Sequence, residues 1–270
     1  MNPFFFGTSD KQLLGIHHPP ERDEVKNGAV LLCPPFGHEY ISAHGSLQHL
    51  ASNLARAGFH ALRFDYYGCG DSAGDIDTAS LEQWVEDVGT AVQELKDTSG
   101  SRSVCIVGLR LGGLIAALAA ARARAAKNND IRAVVLWEPL VRGRDYVEQV
   151  SEFQRRWLSA MYLRPPINIL DSEGPEFMGF RFPQAIQDEL EAVDLTAQSG
   201  PLADDVFLVQ NGEGTYFDAL QGRLSSQGIR FACEVVPASP AWAGEHWQTI
   251  ALPPVEVVRR IAQWISGVYE

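Results

Sequence analysis

Hydrophobic positions along this chain alternate between two kinds of pattern. Residues 29–33 and 133–137 are unbroken apolar runs of strand length, as expected of parallel strands covered on both faces. Residues 60–65, 103–107, 206–209 and 230–236 are further strands. Between them the period becomes helical. Leu47, Leu50, Ala51 and Leu54 line one face over 46–57, and Gly58 ends that segment. Ser80-Leu81-Glu82-Gln83 matches a capping box, and Leu81, Trp84, Val85, Val88, Val92 and Leu95 form the face of the helix it opens. Helices are also predicted over 111–126, 144–161, 184–193, 216–226 and 254–268. At the start, 4–6 and 13–17 read as a hairpin around Gly7-Thr8-Ser9-Asp10.

Strand and helix in alternation predict the α/β class with a mostly parallel, doubly wound sheet, because parallel neighbours need crossover helices. The rhythm breaks after Pro139 and resumes near residue 201. The expected organisation is therefore a core of 1–139 and 201–270 with a helical lid inserted over 140–200. Trp157, Tyr162, Phe177, Phe180 and Phe182 are expected to form the core of that lid rather than a docking patch.

A hydrophobic fraction of 46% with 21% charged residues is that of a globular protein. The net charge of −12 opposes binding to nucleic acid or to an anionic membrane surface. No stretch reaches the roughly 20 apolar residues that span a bilayer, and the N-terminus lacks a basic leader, so a cytoplasmic location is expected. Cys33, Cys69, Cys105 and Cys233 have no CxxC or Cys/His spacing. They read as free thiols, with no metal and no cofactor expected.

The chemistry gathers around Val104-Cys105-Ile106-Val107-Gly108-Leu109-Arg110-Leu111-Gly112-Gly113, an apolar strand, a glycine-framed turn and a helix start. It reads as a nucleophile elbow whose lifted residue is arginine. A guanidinium stays protonated and cannot attack a carbonyl as serine does. At a helix head it is suited to a carboxylate, a phosphate or a developing oxyanion. Alternatively Arg110 pairs with a neighbouring acid, such as Glu138 or Glu39, and closes the site.

Asp65-Tyr66-Tyr67-Gly68-Cys69-Gly70-Asp71-Ser72-Ala73-Gly74 is similar to the turn after strand 4 of α/β-hydrolase-fold proteins, and 108–113 sits where their elbow belongs. More narrowly, Pro34-Pro35-Phe36-Gly37-His38-Glu39-Tyr40, the Gly-Leu-Arg-Leu-Gly elbow and Leu136-Trp137-Glu138-Pro139 resemble bacterial hydrolase-like proteins associated with exosortase systems, which also carry arginine at the elbow. The resemblance covers about residues 29–150. It implies the α/β-hydrolase fold strongly and the reaction weakly.

That resemblance implies an oxyanion loop at Phe36, Gly37, Glu39 and Tyr40, with the backbone N–H groups of Phe36 and Leu111 as donors. It implies a catalytic histidine at His246 and an acid in the turn holding Glu213. Glu138, at a strand's carboxyl end, is the other acid placed to orient a histidine. His38 adds a titratable group over the same mouth, pairing with Glu39 or His246. Cys69 and Ser72 lack an elbow, and Ser72 is read as a local hydrogen-bonding residue.

Three readings follow. One is an enzyme acting on a small ester, thioester or carboxylate without a serine nucleophile, with Arg110 on an anion or oxyanion and His246 moving a proton, in a biosynthetic pathway. A second is an inactive relative that binds an acyl or carboxylate ligand. The third is an interaction subunit. The expected partner is a small molecule, with homodimerisation left open.

Overall fold

The computed structural model describes residues 1–160, 176–212, 215–242 and 252–270. In chain order it forms β1 (Asn2–Thr8), β2 (Lys11–His18), β3 (Ala29–Cys33), α1 (His38–Arg56), β4 (His60–Phe64), α2 (Leu81–Ser99), β5 (Val104–Leu109) and α3 (Leu111–Ala125). It continues with β6 (Ile131–Trp137), α4 (Gly143–Ala160), β7 (Glu176–Phe177), β8 (Phe180–Arg181), α5 (Gln184–Glu191), β9 (Asp205–Gln210), α6 (Asp218–Ser225), β10 (Arg230–Val235) and α7 (Val255–Val268). Among the described residues eight strands make one sheet in the order β1-β2-β4-β3-β5-β6-β9-β10. The opening hairpin β1–β2 joins antiparallel, and every pair from β4 to β10 is parallel.

Every residue of β3, β5 and β9 is buried, which is why these segments carry no polar alternation. Apolar side chains of α1 and α7 cover one face of the sheet. Those of α2, α3 and α6 cover the other, together with Tyr146, Phe182, Ile186 and Leu190 from the segment between β6 and β9. The Ser80 hydroxyl accepts from the Gln83 N–H at 3.0 Å, forming the expected cap of α2. No helix among the described residues is long and apolar enough to cross a membrane.

One boundary departs from expectation in a way that shapes the site. Helix α1 begins at His38, not at residue 46. Gly37, with φ 62°, ends the preceding loop and turns the chain into the helix. The apolar face of α1 runs back from Leu54, Leu50 and Leu47 through Ala43 to Glu39 at helical spacing. Glu39 is thereby carried inward and is not a loop residue at the surface.

The segment between β6 and β9 leaves and rejoins the core at one neck. Leu195 N–H donates to the Val141 carbonyl at 2.8 Å, and Gly143 N–H to that of Val193 at 3.0 Å. Helix α5 is tied to the head of α2, where Leu81 N–H donates to Glu189 Oε2 at 2.6 Å.

Candidate active site

Strand β5 delivers Arg110 to the carboxyl edge of the sheet, and α3 starts at the next residue. Arg110 has φ 55° and ψ −119°, a region L-residues enter only when the surroundings enforce it. Two backbone bonds do so: Arg110 N–H donates to the Trp137 carbonyl at 3.1 Å, and Leu140 N–H to the Arg110 carbonyl at 3.3 Å. The flanking glycine is sterically required, since a Cβ on Gly112 would lie 2.3 Å from the Cys33 carbonyl oxygen. Helix α3 thus presses directly against the end of β3.

The Arg110 side chain is enclosed, with 8% of the residue exposed. Its Nε donates to Glu39 Oε1 at 3.1 Å and an Nη2 hydrogen to Gln149 Oε1 at 2.9 Å, while Trp242 stacks on its guanidinium at 4.8 Å. Of the two acids the sequence leaves open, Glu39 takes the arginine. Burial would lower the Arg110 pKa, but the Glu39 charge and hydrogen bond together with Tyr146 and Tyr216 outweigh it, and the guanidinium stays charged. Burial pushes the Glu39 carboxyl up, against the pull of Arg110. Glu39 is 3% exposed, and its second oxygen has no hydrogen-bond partner.

Glu138 goes elsewhere. Its backbone has φ 46°, and its carboxylate accepts the Asn211 N–H at the end of β9. Burial raises its pKa, partly offset by that bond and by the Arg110 charge. His38, the first residue of α1, stacks on Phe153 of α4 with centroids 5.3 Å apart. Burial, then the Arg110 charge, pushes its pKa down to about 4, so the ring is neutral at physiological pH. Among the described residues His38 makes no hydrogen bond to Glu39, so that pairing is not formed. His246 and Glu213 lie outside the described residues, as does Tyr162.

The loop after β3 brings the remaining residues together. Among the described residues the backbone N–H groups of Phe36 and Leu111 have no hydrogen-bond partner. The Phe36 ring packs on Trp84 and Phe182, at 5.3 and 5.4 Å. Tyr40 donates its hydroxyl to Asp65 Oδ1 at 2.8 Å. Phe36, Gly37 and Tyr40 share a cavity of about 180 Å³ with the turn after β4 and with Phe180 and Arg181. Ser72 spends its hydroxyl locally, donating to the Asp65 carbonyl and accepting from Leu14 N–H.

Gln149, Trp242 and Asp65 are site residues that reading the sequence did not single out. Gln149 lies beside Tyr146, Val150 and Phe153 on α4, so its helix face was legible but not what it meets. Asp65 directly follows β4, and nothing local marks its carboxylate as a cavity wall. Trp242 carries no local signal. The four cysteines are free, and no group of three or more potential metal ligands occurs among the described residues.

Residues 23–195 match the profile of the family described as serine aminopeptidase, S33. Comparison with curated protein sequences gives no match. Solved structures share the fold at low identity. Est1E from Butyrivibrio proteoclasticus, with ferulic acid bound, superposes with a TM-score of 0.67 at 18% identity, covering 97% of each chain. An esterase of Pyrococcus furiosus gives 0.65 at 17%, over 98% of this chain and 90% of its own. Proline iminopeptidase of Mycobacterium smegmatis gives 0.63 at 13%, over 98% of both. The sheet order, the flanking helices and these likenesses define an α/β-hydrolase fold.

Proposed function

The chain belongs to the serine aminopeptidase S33 family, and from that premise we propose an esterase-like hydrolase that works without a serine nucleophile. Its substrate is a small ester or thioester. The observation that carries this reading is the pair of unpartnered N–H groups at Phe36 and Leu111 flanking an arginine fixed at the elbow. The substrate carbonyl oxygen sits between those donors, where charge develops when water adds to the carbon. The water proton passes to a histidine, for which His246 is the candidate, and returns to the departing alkoxide or thiolate.

Arg110 supports this chemistry as a held charge. Glu39 already balances it, so a stable ligand carboxylate would compete with an internal partner, whereas an oxyanion that exists only in the transition state draws on the local field. The substrate class is therefore neutral carbonyl compounds in preference to free carboxylates. Residues 140–200 serve as the lid, with Gln149 reaching down to the elbow. The likeness of 34–40, 108–113 and 136–139 to exosortase-associated hydrolase-like proteins supports a place in a biosynthetic pathway.

The buried Arg110–Glu39 pair also favours a second reading, an inactive relative that binds a carbonyl ligand. A serine-directed fluorophosphonate beside a panel of aryl esters and thioesters separates the two. Turnover without labelling is expected of the serine-independent enzyme. Labelling at Ser72 or any other serine overturns that mechanism. Silence in both assays, with thermal stabilisation by a neutral ester that is lost in an Arg110→Met, Glu39→Gln double variant, is the result expected of the binding protein.

A further inference from the structure

The cavity beside the oxyanion loop has a size and polarity that the elbow does not account for. Its walls are the Pro34–Gly37 loop, Tyr66, Ile76 and Phe180, and they are mostly apolar. At about 180 Å³ it is close to an apolar cavity of roughly 150 Å³ that admits benzene, so it holds one ring or a short branched chain. Tyr40 and Asp65 add a polar wall that offers acceptors. The Tyr40 hydroxyl hydrogen is spent on Asp65 Oδ1, leaving the phenol oxygen able only to accept. Asp65 Oδ2 takes Asp71 N–H at 3.2 Å and has further lone-pair capacity.

A polar group meeting these two side chains must therefore donate a hydrogen bond. Two arginines argue against a cation there. Arg181 lines the cavity and pairs with Asp77 at 2.8 Å, and the Arg63 charge acts on both Tyr40 and Asp65. The donor that remains is neutral, and a hydroxyl is the simplest group that supplies it. Phe36, whose N–H is the oxyanion donor of the reading above, lines the same cavity.

We propose that this cavity is the subsite for the acyl part of the substrate, selecting one ring-sized, neutral, apolar group that carries a hydroxyl met by Asp65 and Tyr40. The assignment of the group as acyl rests on the hydrolase reading; the fit of the group to the cavity does not.

The test separates the two. Calorimetry or ligand-observed NMR on the whole chain would compare 4-methylphenol, toluene and 4-methylbenzylamine as probes. The expected result is that 4-methylphenol binds at least tenfold more tightly than the other two, that Ile76→Trp abolishes its binding by filling the cavity, and that Asp65→Asn removes most of the preference over toluene. The Arg110→Met, Glu39→Gln variant retains probe binding, because neither residue lines the cavity. Equal binding of phenol and toluene, tighter binding of the amine, absence of all binding, or 4-methylphenol binding unchanged in Ile76→Trp would each overturn the proposal. If the probes bind as expected while no ester is hydrolysed, the subsite stands and the hydrolase reading falls.

Discussion

Arg110 Nε and Glu39 Oε1 meet at 3.1 Å across 71 residues of chain, in a site where both side chains are almost wholly enclosed. A pair so placed is costly to break from one side. Arg110→Ala leaves the buried Glu39 carboxyl without its partner, and should lower unfolding stability by roughly 3 to 5 kcal/mol. The double variant Arg110→Met, Glu39→Gln removes both charges and should recover most of the loss. Urea unfolding of the three proteins checks the order. A single variant as stable as the parent would mean that the pair contributes nothing to the fold.

A pH dependence follows from His38 and His18, both pushed down to about 4, first by burial and then by neighbouring arginines. An imidazole with a folded pKa below its unfolded value of about 6.5 binds protons preferentially when unfolded. Stability is therefore full above pH 6.5, falls as the pH drops toward 4, and levels off below that. Allowing for partial solvent screening, each histidine contributes on the order of 2 kcal/mol across that window. Chemical denaturation at stepped pH should show the slope, and His38→Gln should flatten part of it.

At the elbow the backbone itself sets a limit. Gly112→Ala would force a Cβ to within 2.3 Å of the Cys33 carbonyl oxygen, with backbone on both sides of the clash. The expected cost is about 3 kcal/mol, with α3 shifted away from β3. A drop of less than 1 kcal/mol in unfolding stability would show that the helix start has room the structure does not.

The cap of α2 offers a calibrated control far from the elbow. Ser80→Ala removes the acceptor for Gln83 N–H and should cost about 1 kcal/mol, visible as a lower urea midpoint with an unchanged slope. Ser80→Asp should restore it, since a carboxylate accepts the same bond and suits a helix head.

The local and periodic part of this protein is written along its chain. The buried strands, the cap at Ser80 and the strand-turn-helix around Arg110 were all legible, because each is specified by neighbours within a few residues. The start of α1 was legible in principle, since Glu39, Ala43 and Leu47 share one helical face, but a polar residue on that face hides the pattern. The partner of Arg110 was of a different kind. Strand order β3-β5-β6 brings the chain ends bearing Glu39 and Glu138 to either side of the elbow, so residue type and spacing cannot choose between them. Packing makes the choice, by carrying Glu39 inward on α1 while the Glu138 carboxylate meets Asn211, and by closing α4 over the pair through Gln149. Such contacts depend on where separate elements come to rest, and that position is set by the packing of the whole sheet and its helices.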